Sequence, residues 1–220
     1  MLLYDPQEMS QTELYKLLVG CVMPRPIAWI STVSGDGRPN LAPFSFFNVA
    51  SRSPATLAIS IGPPADPGKG KKDTLKNAEE TKELVVHVVS ERFMEEMNIS
   101  GAEFPNGINE FDIAGLTAVP SAKVKPPRIA GAEISMECIL KNVIPVGSDH
   151  LLLAEVVAFN VNEDVVENGK IQADRLHAVG RMAGPRYCKT GDTFGMNIPP
   201  VELFLEKGKH EHSGKARGEI

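Results

Sequence analysis

The sequence predicts a mainly β fold with a few short helices, in which the strands form a closed or nearly closed barrel. Short runs rich in β-branched and aromatic residues recur along the chain, and turns with glycine or proline separate them. Helical spacing of apolar residues is confined to a few short segments. A chain of 220 residues can bury a sizeable core in one domain. We expect a single domain over residues 1–205, followed by a polar tail over residues 206–220.

The first elements along the chain are a helix and a hairpin. Apolar residues at helical spacing predict a helix over Gln11–Val19. A strand over Ile27–Val33 follows, and Asp36-Gly37 supplies the positive φ angle that a tight turn needs. The chain is then expected to return as a second strand over Leu41–Phe47.

Similar runs predict the remaining strands. They cover Thr56–Ile61, Leu84–Val89, Ala132–Val143 and His150–Val161. A helix capped by Asp73 and a second short helix from Ser90 lie between these strands. Asn168-Gly169 predicts a further hairpin turn, whereas Gly101–Gly115 has no pattern that assigns it to a helix or a strand.

The composition argues against several classes of protein. The net charge of −5 gives no electrostatic sign of nucleic-acid binding. The three cysteines form no Cys-x-x-Cys pair and share no ligand spacing with the five histidines, which argues against a disulfide framework and a metal site. The N-terminus lacks a signal-peptide pattern, and no apolar run approaches the roughly 20 residues of a spanning helix. We therefore expect a cytoplasmic protein without a metal and without nucleic-acid or membrane partners.

A basic segment directly precedes the helix predicted at Asp73. A helix N-terminus presents free N–H groups and a partial positive charge. Lys71 and Lys72 add full positive charge, and Thr74 adds a hydroxyl donor. This combination suits a monophosphate. From these residues alone, a capped helix after a solvated basic loop is the simpler interpretation.

The predicted hairpin combines flat apolar surface with small polar groups. Its first strand contains Trp29-Ile30-Ser31-Thr32, and its second strand ends in Ser45-Phe46-Phe47-Asn48. Such a surface suits a planar heteroaromatic ligand. From this stretch alone, a hairpin whose aromatic residues fill the core is the better explanation. Arg25 stands between two prolines on a stiff backbone. It is either a surface arginine or a cation near a bound anion or ring.

A third motif lies near the end of the predicted domain, where Arg181, Gly184 and Tyr187 follow one another at intervals of three residues. The arginine can pair with a phosphate or a carbonyl oxygen, and the tyrosine can stack or form a hydrogen bond. Taken alone, the motif is better explained by a surface arginine and a core tyrosine.

Together, and in this order, these motifs resemble the flavin reductase-like family of FMN-binding split β-barrels, which includes flavoredoxin. The resemblance extends from about Pro24 to Tyr187, most of the chain. It implies non-covalently bound FMN, with the phosphate on the Lys-Asp-Thr segment and the ring along the hairpin. The implied cofactor-binding residues are Trp29, Ile30, Ser31, Thr32, Ser45, Phe46, Phe47, Asn48, Lys72, Asp73, Thr74, Arg181 and Tyr187. The family usually has two adjacent glycines in the third motif, and Ala183 stands where the first of them falls.

The resemblance implies an NAD(P)H-dependent flavin reductase, in which hydride passes from NADH or NADPH to the flavin. No catalytic side chain is implied, because the FMN carries the redox chemistry. The resemblance also implies a homodimer with the site at its interface, and a partner monooxygenase or redox protein. Two alternatives stay open: a flavoredoxin-like FMN electron carrier without turnover of free flavin, and a protein similar to pyridoxamine-phosphate oxidase, which has the same split-barrel architecture.

Overall fold

The computed structural model describes residues 1–105, 107–202 and 204, so the tail predicted over residues 206–220 lies outside the described residues. The strands are β1 (Arg25–Pro26), β2 (Ala28–Val33), β3 (Pro39–Phe44), β4 (Phe47–Arg52), β5 (Ala55–Ile61), β6 (Glu83–Val88), β7 (Ala118–Val119), β8 (Arg128–Ile129), β9 (Ile134–Val146), β10 (Asp149–Val161), β11 (Val166–Glu167), β12 (Lys170–Ile171), β13 (Val179–Arg181) and β14 (Tyr187–Lys189). The helices are α1 (Gln11–Cys21), α2 (Asp73–Thr81), α3 (Met94–Ser100), α4 (Glu110–Ile113) and α5 (Ala173–Leu176), with 3-10 turns at Pro67–Lys69, Glu91–Phe93 and Glu163–Val165.

Most of this regular structure belongs to one antiparallel sheet of seven strands in the order β3-β2-β6-β9-β10-β5-β4. Beside it, β1, β13 and β14 form a three-stranded sheet, and β7–β8 and β11–β12 are two-stranded hairpins. The prediction of a mainly β fold with a few short helices is confirmed. The turn predicted at Asn168-Gly169 joins β11 to β12, with φ angles of 50° and 72°.

The large sheet is rolled, because its two edge strands are consecutive in the sequence. β3 pairs with β2 and β4 pairs with β5, at opposite ends of the strand order, although only Ser45 and Phe46 separate β3 from β4. The Cα atoms of Phe44 and Phe47 can be at most about 11 Å apart, so the two edges meet at this corner. The prediction of one strand over Leu41–Phe47 is therefore wrong: the chain leaves one edge at Phe44 and joins the other at Phe47.

Apolar cores fill both faces of the rolled sheet. Inside, the central strands pack around Leu75 and Ala78 of α2. Outside, Trp29 packs with Phe111 of α4 and with apolar residues of α3 and β8. Because β2 has a core on each side, all of Ala28–Val33 is buried, which is unusual for a strand of an antiparallel sheet.

The starts of two helices differ from the predictions. Asp73, predicted as the N-cap of α2, is its first residue, and Lys72 occupies the N-cap position without a side-chain cap hydrogen bond. The helix predicted from Ser90 begins as the 3-10 turn Glu91–Phe93 and continues as α3. The N-terminus of α2 thus has no capping side chain of its own.

A buried histidine joins β2, β6 and the β7–β8 hairpin. Nε2 of His87 accepts a hydrogen bond from the N–H of Ile129 at 3.1 Å. Nδ1 therefore carries the proton and donates to the carbonyl oxygen of Trp29 at 2.9 Å. Burial lowers the pKa of His87 to about 4, so the ring is neutral at physiological pH. His87 holds the outer hairpin on the barrel.

We expect His87 to lower folding stability as the pH falls from 6.5 to about 4. The unfolded chain binds a proton at the ring near pH 6.5, whereas the folded protein keeps the ring neutral down to about pH 4. This contribution is fully present above pH 6.5 and declines as the pH falls to about 4, by about 3 kcal/mol in total. Urea unfolding of His87→Gln should show lower stability at pH 7 and a shallower pH dependence than wild type.

The exposed His177 provides the matched control for this measurement. Its backbone is left-handed, with φ of 48°, and asparagine tolerates that conformation, so His177→Asn should fold normally. We expect His177→Asn to keep the pH dependence of the wild type. Equal slopes for His87→Gln and wild type would contradict the role given to the buried ring.

Candidate functional site

Three adjoining cavities form one cleft beside β3 and the corner that follows it. They have volumes of about 80, 410 and 350 Å³, and we call them the lysine cavity, the arginine cavity and the apolar groove. The lysine and arginine cavities share walls at Pro43, Phe44 and Gly101. The arginine cavity and the apolar groove share Arg25 and Ser45. A ligand longer than one cavity can therefore extend along the cleft.

The lysine cavity brings together three predicted residues, Lys72, Asp73 and Thr74, at the N-terminus of α2. The side chain of Lys72 is partly exposed, and its Nζ lies 3.8 Å from Oε1 of Glu103. A surface ion pair at this distance contributes little to stability, so the ammonium group can exchange Glu103 for another anion at low cost. A lysine next to an uncapped helix N-terminus forms a site for a phosphate or a carboxylate.

A buried hydrogen-bond network fixes α2 on the barrel. Nδ2 of Asn40 donates to Oγ1 of Thr74 at 3.0 Å and to Oγ1 of Thr32 at 3.3 Å. Nδ2 of Asn77 donates to Oγ1 of Thr32 at 3.2 Å. Because the hydroxyl of Thr74 accepts from Asn40, its own proton remains available for a ligand in the lysine cavity. Thr32 contributes to the site only through this network.

Two glutamates also line the lysine cavity. Glu103 accepts from the N–H of Ala65 with both carboxylate oxygens, at 2.8 and 3.2 Å. Glu110 accepts from the N–H of Leu41 at 3.1 Å. Burial raises the pKa of Glu110, and the negative charge of Asp73 raises it further. An anion at this end of the cleft therefore favours the protonated form of Glu110.

The arginine cavity brings together the predicted Arg181 and Tyr187, which are paired across β13 and β14. The guanidinium lies over the tyrosine ring, 4.5 Å from its centre, and donates to the tyrosine hydroxyl. A second N–H of Arg181 donates to the carbonyl oxygen of Gly184 at 2.8 Å. The hydroxyl of Tyr187 donates to Oδ1 of Asn98 at 3.3 Å. These contacts fix a cation and an aromatic ring in one wall of the cavity.

The turn between β13 and β14 requires a glycine at one position. Gly184 has φ of 62°, a conformation that glycine adopts without a steric penalty. Ala183 does not have a positive φ angle. The alanine at this position is therefore compatible with the turn that presents Arg181 and Tyr187.

Arg25 is buried, unlike the surface arginine that was one of its two interpretations. Its Nη1 donates to the carbonyl oxygens of Val19 and Val22 at 2.9 and 2.7 Å. Its Nη2 donates to the carbonyl oxygen of Met182 at 3.2 Å, and its Nε to Oγ of Ser45 at 3.4 Å. The guanidinium thus ties α1 and the turn after β13 to the corner after β3, and it lies at the boundary of two cavities.

The residues predicted to contact a ring fall into two groups. Ser45, Phe46, Phe47 and Asn48 line the apolar groove. Trp29–Thr32 belong to β2, which pairs with β3 on one side and β6 on the other, and their side chains are buried. Within one protomer these four residues offer no surface to a ligand. They support β3, which forms the wall shared by the lysine and arginine cavities.

The segment Gly101–Gly115, which has no sequence pattern, supplies walls that the motifs do not indicate. Gly101 lies between the lysine and arginine cavities, and a Cβ atom there would be 3.2 Å from Cγ of Pro43. Glu103 and Glu110 of the same segment line the lysine cavity. The closest sequence signal for these residues is Asn109, the side-chain cap of the short helix α4.

The polar groups of the cleft are cations and hydrogen-bond donors at each end, together with the carboxylates of Asp73, Glu103 and Glu110 in the lysine cavity. Among the described residues, His, Cys, Asp and Glu form no group of three or more that could hold a metal ion. In that same part of the chain, no helix is long and apolar enough to cross a membrane.

The chain belongs to the flavin reductase-like domain family, whose model matches residues 19–181. The matched region contains the hairpin, the Lys-Asp-Thr segment and Arg181. The resemblance inferred from the motifs is therefore confirmed, and a flavin is the ligand class of the family.

Solved structures support the same assignment. Nitrilotriacetate monooxygenase component B from Bacillus cereus is 36% identical, with a TM-score of 0.85 over 89% of this chain and 98% of that chain. The 2-nitrobenzoate 2-nitroreductase of Pseudomonas fluorescens is 31% identical, with a TM-score of 0.81 over 90% and 96% of the two chains. A flavin reductase with a split barrel domain from Shewanella frigidimarina superposes with a TM-score of 0.77 at 16% identity, over 91% of this chain and 100% of that chain. The split-barrel fold predicted from the resemblance is confirmed.

We expect Arg25→Lys to destabilise the protein by about 2–3 kcal/mol. A lysine cannot reach the carbonyl oxygens of Val19, Val22 and Met182 together, so buried acceptors lose charged donors. Arg186→Lys, in the exposed turn after β13, is the matched control and should change stability by less than about 0.5 kcal/mol. Urea titration of both variants measures the difference, and equal stabilities would show that Arg25 does not join these elements.

Proposed function

We propose that this protein is a homodimeric, FMN-dependent oxidoreductase that uses NADH or NADPH to reduce flavin. The observation that carries the proposal is the shape and charge of the single cleft. One end of the cleft contains Lys72, Thr74 and the N-terminus of α2. The other end contains Arg181 and Tyr187. Membership of the flavin reductase-like family supports a flavin as the ligand of this cleft.

The lysine cavity fits the phosphate of FMN. The N–H groups at the start of α2, the ammonium of Lys72 and the hydroxyl of Thr74 are the donors that would hold it. With a volume of about 80 Å³, this cavity accommodates a phosphate group rather than a second nucleoside. We therefore favour FMN over FAD as the bound flavin.

The arginine cavity fits the flavin ring. Its volume of about 410 Å³ is within the range of small-molecule sites. Tyr187 offers an aromatic face, Arg181 offers a cation for carbonyl oxygens, and Ser45 to Asn48 continue the wall into the apolar groove. When bound, FMN supplies the hydride-transfer chemistry. The side chains bind and orient the ring and limit access of water, and no general acid or base is assigned among them.

The similarity to nitrilotriacetate monooxygenase component B favours a role in supplying reduced flavin to a partner monooxygenase. A second copy of the chain beside the apolar groove would place the flavin site at a dimer interface. The alternatives are a flavoredoxin-like carrier that exchanges electrons with a redox protein, and a protein related to pyridoxamine-phosphate oxidase. Turnover of free flavin distinguishes a reductase from the electron carrier, which does not catalyse it. Oxidation of pyridoxamine phosphate would identify a protein related to pyridoxamine-phosphate oxidase.

We expect Lys72→Ala to raise the FMN dissociation constant about 10- to 100-fold, because it removes a charged donor from the phosphate. Riboflavin, which lacks the phosphate, should bind Lys72→Ala and wild type equally. The neighbouring Lys71 also lines the cavity, but its ammonium binds Glu79 at 2.6 Å, so Lys71→Ala is the matched control for the loss of one positive charge. Lys71→Ala should change FMN affinity less than threefold. Fluorescence titration measures each affinity, and a parallel loss of riboflavin binding in Lys72→Ala would count against the phosphate assignment.

The reductase activity is tested by the visible spectrum of the purified protein under anaerobic conditions. We expect a flavin spectrum that bleaches on addition of NADH or NADPH, followed by steady turnover of added free FMN. A flavin spectrum that bleaches with dithionite but not with either nicotinamide donor would favour the electron carrier. A colourless protein that does not bind added FMN would contradict the proposed function altogether.

A further inference from the structure

The segment after β14 carries apolar side chains that the described part of the protomer leaves uncovered. Phe194, Met196 and Ile198 are 85%, 83% and 94% exposed. They are spaced two residues apart, so in an extended chain all three lie on one face. Pro199-Pro200 follow and favour an extended backbone. We call residues 190–198 the apolar arm. A group of large apolar side chains with this exposure is typical of a contact surface.

The apolar groove has the complementary character. Its walls include Leu18 of α1, Val22 directly after that helix, and Phe46, which are 50%, 59% and 38% exposed. The charge of Arg25, which also lines the groove, is directed into carbonyl oxygens of its own protomer. The groove therefore presents mainly apolar surface, with a volume of about 350 Å³.

The arm and the groove belong to the same small sheet. The arm continues from β14, which pairs with β13, and β13 pairs with β1, whose residues Arg25 and Pro26 line the groove. Nine residues of extended chain span at most about 30 Å, which is enough to reach a second protomer that faces the groove. In its own protomer the arm starts two strands from the groove, yet its three apolar side chains remain exposed.

We propose that the apolar arm of each protomer lies in the apolar groove of a second copy of this chain. A twofold arrangement uses the same two surfaces on both protomers and leaves neither arm uncovered. Three side chains of this size bury on the order of 500 Å² per arm. Together with the matching groove surfaces, two arms reach the roughly 1,200–2,000 Å² of a specific interface.

The exchange also bears on the flavin site. Arg25 and Ser45 belong to both the groove and the arginine cavity, so an arm in the groove contacts one wall of the cavity that we assign to the flavin ring. This consequence rests on the proposed flavin site, whereas the exchange of arms shares only the homodimer with the proposed function. Both experiments below are done without flavin, so they remain informative if FMN binding fails.

The first test is the mass of the full chain in solution. The variant Phe194→Ser, Met196→Ser, Ile198→Ser removes the apolar face of the arm, and its folding is checked by circular dichroism and urea unfolding. Light scattering should show a dimer for wild type and a rise of the dimer dissociation constant of about 100-fold or more for the variant. Thr193→Ser, Asn197→Ser changes exposed polar positions of the same arm and should behave as wild type. A monomeric wild type, or a folded triple variant with unchanged dimer affinity, would overturn the proposal.

The second test distinguishes exchange between copies from docking within one chain. Cys21 is exposed at the end of α1, next to Val22 of the groove. One chain carries Met196→Cys together with Cys21→Ser. A co-expressed chain keeps both Cys21 and Met196 and differs in length, so that the two chains are distinguished by size. Both chains carry Cys188→Ser. A disulfide between the two chains on mild oxidation supports the exchange. A disulfide that forms only within a single chain carrying both Cys21 and Met196→Cys, with no link between chains, would contradict the exchange.

Discussion

The two-residue connection between β3 and β4 is the constraint on which the rest of the structure depends. Those strands lie at opposite edges of the seven-stranded sheet, so a connection through Ser45 and Phe46 requires the sheet to roll until its edges meet. The same two residues then contact Arg25: Ser45 accepts from its Nε at 3.4 Å, and the guanidinium lies 5.8 Å from the centre of the Phe46 ring. Closure of the barrel and placement of this cation therefore depend on the same corner.

Around this corner, the cleft combines rigid supports with available charges. β2 is buried on both faces and supports β3, while the network of Asn40, Asn77 and two threonines holds the N-terminus of α2 against the barrel. The charged groups at the ends of the cleft are Lys72, whose Nζ lies 3.8 Å from Oε1 of Glu103, and Arg181, which donates to Gly184 and Tyr187. An extended ligand with an anionic end and a planar end matches this distribution, and FMN has both.

The carboxylates of the lysine cavity set a limit on how strongly that site attracts an anion. Glu110 is partly buried, and burial raises its pKa, with a smaller contribution from the negative charge of Asp73. A phosphate adds further negative charge, so its binding and the protonation of Glu110 favour each other. The acidic residues that oppose an anion here belong to the segment after α3, which contributes Glu103 and Glu110 to the wall of the lysine cavity.

The local features of this protein were determined by the sequence by itself. Strands β2, β5, β6, β9 and β10 and the helix beside Lys72 and Thr74 depend on residues close together in the chain, where propensity and turn chemistry act directly. Only the tertiary structure decided that Leu41–Phe47 is divided between two sheet edges, that Trp29–Thr32 are covered on both faces, and that Gly101–Gly115 forms walls of the site. Burial and edge pairing depend on distant segments that pack against a strand, and a strand's own residues do not specify them.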